Sequence, residues 1–314
     1  MNSIDKVAVC SRSFSRNLIL RNELLENYKN VTFNDQGISL KGQSLINFLS
    51  GHDKAIIALE VISQEVLSEL PNLKVISKYG VGVDTIDLEL LASYSINFGW
   101  TGGVNKRSVS ELVISFAISL LRQVPMAHRQ VVEGVWKQCV GGLLSNKVVG
   151  IIGCGFIGKD VIRLLQPFGC KIIVNDIKNF EDFYQTYDIE SVTLDQLLIR
   201  ADVVSLHVPL NESTFRMLNA EKLKMLKPDS ILINLARGGL IDESYLKYML
   251  INQKLAGAAL DVFYTEPPED SELLSLPNLI VTPHIGGSSI EAILAMGRAA
   301  INGLDVQTLP NSSC

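Results

Sequence analysis

The chain has 314 residues, 47% of them hydrophobic and 19% charged, with a formal net charge of −5. That length is natural for two domains, and the composition is too apolar for a disordered chain. The acidic balance and the lack of basic runs exclude a nucleic-acid binder, whose phosphate contacts need clustered Lys and Arg.

The opening MNSIDKVAVC has neither the charged start nor the long apolar core of a secretory signal. Short apolar runs then alternate with helical patterns, which implies parallel sheets with helices on both faces. KVAVC, VTFN, AIIAL, KVIS and INFGW read as five strands, with helices at SLINFLS, SQEVLSEL and DLELLASYS between the later ones. A long helical pattern follows at 105–124, and Pro125 is expected to end or kink it. Its most apolar part, 112–121, is about half a membrane span and carries two serines, so it reads as a buried or interface helix. No membrane partner is expected. A second set of strands reads VVGIIG, KIIVND, DVVSLHVP, ILINLA, GAALDV and LIVTPH, and SSIEAILAMGRAAINGL reads as a helix returning to the first unit. The predicted fold class is α/β, with two doubly wound parallel-sheet domains: 1–100 with 288–314, and 101–287. The five cysteines, at 10, 139, 154, 170 and 314, are scattered without a CxxC pair, which suits reduced thiols in a cytoplasmic protein. No cluster has metal spacing, so no metal is expected.

The strongest local motif is VVGIIGCGFIGKDV. Gly153, Gly155 and Gly158 form G-x-G-x-x-G directly after a strand and before a helix, the context that motif needs. Gly153 allows the tight turn, Gly155 the close approach of a pyrophosphate, and Gly158 the packing of helix on strand. The helix start offers free N–H groups to phosphates, with Phe156 and Ile157 best placed to donate. Asp176 ends the next strand, where a ribose-binding acid belongs and where it would repel a 2′-phosphate. NAD is therefore expected rather than NADP, although Lys178 lies near. Cys154, at a helix start, is a candidate for a lowered pKa, but a small side chain without a role is the simpler reading.

Three strand ends of the second domain carry unusual polar residues: Arg237 in ILINLARGGLID, Glu266 in AALDVFYTEPPED and His284 in LIVTPHIGGSS. Strand ends in such sheets meet at one ligand-binding rim. Hydride transfer to or from an alcohol carbon needs a proton moved at the oxygen, a task that suits a histidine. A carboxylate beside the imidazole would fix its tautomer, and an arginine fork could hold a substrate carboxylate. These roles describe a 2-hydroxyacid/2-ketoacid oxidoreductase.

Together with GVGVDTID, GVNKRSVSELV, ADVVSLHVPLNEST and GAALDVFYTEPP, these blocks follow in order, and over nearly its whole length the chain resembles the D-2-hydroxyacid dehydrogenase family. That family includes D-3-phosphoglycerate dehydrogenases and glyoxylate/hydroxypyruvate reductases. The resemblance implies a flavodoxin-like substrate domain and a Rossmann NAD-binding domain. It implies Arg237 as substrate-orienting, Glu266 as partner of His284, and His284 as general acid/base. It places Val81 and Gly82 as backbone donors to the substrate carboxylate, and Asp261 near the nicotinamide carboxamide. Leu235, Ala236 and the 284–287 turn, with Gly286 and Gly287, would line the cofactor. His207 and Val208 are expected beside it through their backbone, and Thr214 is a candidate phosphate contact. The stretch near 105–140 would be a dimer-forming arm, so a homodimer is expected.

Substrate identity is less legible. Phosphoglycerate dehydrogenases tend to show an arginine where Lys78 stands. Arg12 and Lys78, on two adjacent loops, are read as a positive rim for a second anionic group. The favoured reading is a phosphoglycerate dehydrogenase-like enzyme; the alternatives are a broad glyoxylate/hydroxypyruvate reductase or an NAD(H)-sensing corepressor-type protein. The returning helix is followed by only a short tail, so a regulatory extension is not expected.

Overall fold

A computed structural model describes residues 3–306. The chain forms two compact units: residues up to Asn105 with those from Ser289 onward, and Lys106–Ser288. Cys314 and the rest of the 307–314 tail, assigned above to the first domain, lie outside the described residues.

In the first unit, β1 (Ser3–Val9), β2 (Tyr28–Phe33), β3 (Lys54–Ile57), β4 (Val75–Lys78) and β5 (Asn97–Gly99) form one parallel sheet in the order β2-β1-β3-β4-β5. This is the flavodoxin-like winding, whose crevice lies beyond the carboxyl ends of β1 and β3. Two helices, Arg12–Arg16 and Leu18–Asn27, join β1 to β2 and were not assigned from sequence. In the second, Leu20 and Leu24 are buried while Leu18, Ile19 and Leu25 are exposed, so no clean apolar stripe marks it. Its start is marked instead by Asn17, whose side chain accepts the Ile19 and Leu20 N–H groups. The helix Ile290–Asn302 packs on this sheet, with Ser77 Oγ donating to the Ala300 carbonyl at 2.7 Å. A Cβ on Gly297 would stand 2.3 Å from Leu20 Cδ1, so the Leu20 side chain packs directly on this glycine.

In the second unit, β6 (Val148–Ile152), β7 (Lys171–Asn175), β8 (Ile189–Ser191), β9 (Val203–Leu206), β10 (Ile231–Asn234), β11 (Gly257–Leu260) and β12 (Leu279–Val281) run parallel in the order β12-β11-β10-β9-β6-β7-β8. The winding reverses between β6 and β9, the switch point where dinucleotides bind in such sheets. β8 was not expected: it is three residues long, and its Glu190 and Ser191 are exposed, so it lacks an apolar run. The central strands β9, β10 and β11 are wholly buried, as parallel strands covered on both faces must be.

The long helical pattern is two helices, Lys106–Leu121 and Val124–Val132, bent by 61° at the break. Gln123 takes the left-handed conformation there, and Pro125 sits in the first turn of the second helix, where its missing N–H costs little. Among the described residues, no single helix is long and apolar enough to cross a membrane.

Candidate active site

The glycine loop after β6 opens the helix Phe156–Leu165. Gly153 has φ +95°, and a Cβ there would lie 2.6 Å from the His207 carbonyl oxygen. A Cβ on Gly158 would overlap the Gly153 carbonyl oxygen. At Gly155 a Cβ would meet nothing within 4 Å among the described residues, and this residue caps the helix without a side-chain bond. The loop thus needs glycine for packing at two positions and keeps room at the third, beside helix N–H groups that no side chain caps. That is the donor set a pyrophosphate requires. Asp176 lies beside it, one carboxylate oxygen 2.5 Å from the Cys154 N–H and the other 2.8 Å from the Lys178 N–H. The residues present therefore fit a dinucleotide. Cys154 itself is buried, and that burial pushes its thiol up to about 11, so the lowered pKa considered from sequence does not occur.

His207 directly follows β9, its N–H donating to the Ile152 carbonyl at 2.7 Å. Its ring Nε2 is buried with no partner among the described residues, and burial depresses the imidazole to about 3. It is a neutral ring at the switch point. Val208 Cγ1 would be 2.8 Å from a Cβ on Gly153, which puts it against the same loop. Thr214 is less suited to the phosphate role suggested for it. Its hydroxyl donates to the Pro209 carbonyl at 2.7 Å and accepts the Asn211 N–H at 2.9 Å, so its proton is spent within its own turn.

Beyond β10, Asn234 is buried and clasps the next turn: Oδ1 accepts the Ala236 N–H at 3.0 Å, and Nδ2 donates to the Arg237 carbonyl at 2.8 Å. Arg237 is half-buried, and its Nη1 donates to the Ala236 carbonyl at 2.7 Å. Gly238 then packs so closely that a Cβ would overlap the Phe263 backbone. The arginine turn and the loop after β11 are thereby pressed together. Leu235, between β10 and the arginine turn, is buried in the core.

That second loop carries Glu266. Its Oε1 accepts the Phe263 N–H at 3.1 Å, and its Oε2 lies 2.9 Å from His284 Nδ1. Glu243 accepts the Tyr264 N–H at 2.6 Å, and burial, with repulsion from Asp270 and Glu266, pushes its carboxyl above the ordinary value. The His284–Glu266 pair is about half exposed on both sides. The turn after β12 gives His284 a φ of +54°, rare for a residue with a Cβ. Asp261, 1% exposed, holds that turn from below: its Oδ1 accepts Thr282 Oγ1 at 2.5 Å and the Ile285 N–H at 2.7 Å. Its Oδ2 accepts the Gly286 N–H at 2.7 Å, and its carbonyl the His284 N–H at 2.9 Å. Gly286 is buried and Gly287 half-buried.

Arg237, Glu266 and His284 thus leave the ends of three adjacent strands, β10, β11 and β12, and Glu266 reaches His284 directly. Sequence reasoning missed Asn234, and it missed the carboxylate of Asp261 as a clamp. The available signal was a lone polar residue at the end of each of two otherwise apolar strands.

In the first unit the chain bends directly after β4, where Gly80 takes φ +119°; Val81 and Gly82 follow, and Trp100 Nε1 donates to the Val81 carbonyl at 3.0 Å. Arg12 is exposed, as a rim residue must be. Lys78 is not on a rim. It is 5% exposed, and its ammonium donates to the Ala58 carbonyl at the end of neighbouring β3. The reason is that β4 is buried along its whole length, so its last side chain is enclosed as well.

Residues 114–286 match the family described as D-isomer specific 2-hydroxyacid dehydrogenase, NAD binding domain. The chain belongs to this family of NAD-dependent oxidoreductases. The dehydrogenase is 38% identical over 241 residues to the hydroxypyruvate reductase of Thermotoga maritima, covering 75% of this chain and 78% of that one. It is also 38% identical over 239 residues to the D-3-phosphoglycerate dehydrogenase of Methanocaldococcus jannaschii, covering 75% of this chain but 46% of that longer relative. A solved D-lactate dehydrogenase from Aquifex aeolicus, complexed with NAD and lactic acid, has a TM-score of 0.80 with 25% identity, covering 95% of this chain and 93% of that one. The family resemblance, the α/β class and the NAD cofactor inferred from sequence are borne out.

Proposed function

We propose that this dehydrogenase interconverts a D-2-hydroxy acid and its 2-keto acid, with His284 as general acid/base. The observation that carries the reading is the 2.9 Å bond from Glu266 to His284 Nδ1, one strand end away from Arg237. With Glu266 on Nδ1, Nε2 is the ring nitrogen left to pass a proton to or from the substrate oxygen. Glu266 orients the ring through Nδ1, and Asp261 fixes the turn. Arg237 is assigned to the substrate carboxylate, which its guanidinium can pair through two parallel bonds. Val81 and Gly82, in the turn after β4, stand as candidate backbone donors to a carboxylate. Bound NAD supplies or accepts the hydride; Gly155, the start of the helix Phe156–Leu165 and Asp176 would hold its pyrophosphate and ribose.

Between substrate classes, the burial of Lys78 shifts the preference. A second anionic group needs an available cation, and of the two residues assigned to that rim only Arg12 is exposed. We therefore favour short unphosphorylated acids, such as glyoxylate or hydroxypyruvate, over phosphohydroxypyruvate. The homodimer reading is supported by exposed apolar side chains along the arm, Val132, Trp136, Val140 and Leu143 among them. The four described cysteines are free thiols, which fits the cytoplasmic setting assigned to the chain.

The test is NADH oxidation at neutral pH with glyoxylate, hydroxypyruvate and phosphohydroxypyruvate, with His284→Ala alongside. Loss of about 10² to 10⁴ in kcat is expected for the variant. Full activity of His284→Ala removes the acid/base assignment, and a marked preference for the phosphorylated acid restores the phosphoglycerate dehydrogenase reading.

A further inference from the structure

The helix Lys106–Leu121 begins with a turn that reaches two parts of the candidate site in its own unit. Ser108 Oγ donates to the Gly286 carbonyl at 2.7 Å. The Gly286 N–H donates to Asp261 Oδ2. The residue two beyond His284 is therefore held at both of its polar groups, by a carboxylate at the N–H and by a hydroxyl at the carbonyl. The neighbouring Arg107 places Nη2 2.9 Å from Asp160 Oδ1, on the helix whose N-terminus is offered to the cofactor. Asp160 is buried, and its second oxygen has no hydrogen-bond partner among the described residues.

Ser108 does not behave as a helical serine ordinarily does. Ser110, two residues on, donates back to the Lys106 carbonyl, the local habit of serine in a helix. The Ser108 hydroxyl instead crosses to a residue 178 positions away. The two elements also lie in contact: a Cβ on Gly286 would stand 3.5 Å from Val109 Cγ2, an ordinary packing distance.

The turn needs an external hold. His284 sits at φ +54°, and such a conformation persists only where the surroundings over-determine it. The imidazole is half exposed, and its ring bond is to Glu266, itself half exposed. Its orientation therefore depends on the backbone of the turn as well as on the Glu266 bond.

We infer that Ser108 is a positioning residue for His284, acting through the Gly286 carbonyl. The inference rests on the reading of His284 as general acid/base. It extends that reading to a path of side chains: Asp160 on the nucleotide helix, Arg107 and Ser108 on the first turn of the next helix, and then the acid/base turn. Ser108 touches no reacting group in this scheme. It sets where the imidazole stands.

The experiment compares Ser108→Ala, Ser108→Thr, His284→Ala and the Ser108→Ala/His284→Ala double variant, using NADH with glyoxylate or hydroxypyruvate. It reads kcat, KM for the keto acid, and NADH affinity by fluorescence. Ser108→Ala is expected to lower kcat about tenfold, within the roughly 10² that a 1 Å misplacement costs, with NADH affinity unchanged. Ser108→Thr keeps the hydroxyl and should restore most of kcat. In the His284→Ala background Ser108→Ala should cost nothing further, because there is no imidazole left to place. An unchanged kcat in Ser108→Ala overturns the inference, and so does the same loss persisting without His284. If the residual rate of His284→Ala is below detection, the pH profile decides: Ser108→Ala should move the limb set by His284, and an unmoved limb refutes the assignment. Full activity of His284→Ala would instead remove the underlying acid/base reading, a separate failure seen in a separate variant.

Discussion

His207 offers a test that needs no substrate. Its ring Nε2 is buried without a partner among the described residues, and both ring nitrogens must carry protons in the charged form. The residue keeps some accessible surface, but Nε2 has none, and that atom governs the cost of charging. The imidazole is depressed from 6.5 to about 3 by burial. Between those two pH values the unfolded chain binds a proton that the folded chain refuses. Stability therefore rises with pH across this window and is lost as pH falls through it. A shift of this size corresponds to about 5 kcal/mol when fully expressed, and to about 3 kcal/mol between pH 7 and pH 4. Replacing His207 with Gln removes the titration and keeps a polar side chain of similar reach. Urea unfolding of both proteins at intervals from pH 7 to pH 4 isolates the difference, since the carboxylates titrate alike in each. The wild type should lose about 3 kcal/mol more than His207→Gln over that range. Parallel stability curves would mean that the ring charges freely in the folded protein and that Nε2 is not enclosed.

Gly158→Ala should weaken NADH binding at least tenfold, because its Cβ overlaps the Gly153 carbonyl and the helix start must move away; fluorescence titration that finds wild-type affinity would refute the packing argument. Asp261→Asn replaces an acceptor of three hydrogen bonds with a group that sets an N–H2 against one of them, and should cost about 1–3 kcal/mol in urea unfolding; an unchanged midpoint would show that the clamp is not rigid. In folded protein at pH 7.5, iodoacetamide should modify Cys139 well before Cys154, whose thiol is enclosed and pushed up to about 11; early labelling of Cys154 in a peptide map would contradict its burial.

Much of this protein is local chemistry, and local chemistry is legible in sequence. The central strands of the second sheet are wholly buried and, apart from Ser205 and the terminal Asn234, apolar because both faces are covered, so their positions could be read directly. The glycine loop could be read because close backbone approach admits only glycine at Gly153 and Gly158. Arg237, Glu266 and His284 stood out as polar residues just beyond apolar strands. Elements without such contrast were lost, such as the edge strand Ile189–Ser191 and the helix Leu18–Asn27 with its apolar residues on both faces.

Tertiary structure decided what each polar group is bonded to. Lys78 reads in sequence as a loop cation, yet the cover over β4 buries it against a carbonyl of the neighbouring strand. Asp261 reads as a strand-end acid, yet both its oxygens are taken by the His284 turn, more than twenty residues on. Ser108 reads as one serine among several in a helix, and only the fold sets it beside Gly286. Hydrogen bonds act over about 3 Å of space and carry no trace of sequence separation. Residue types and their spacing were enough to name the chemistry, while the partners that hold each group in place exist only once the chain has folded.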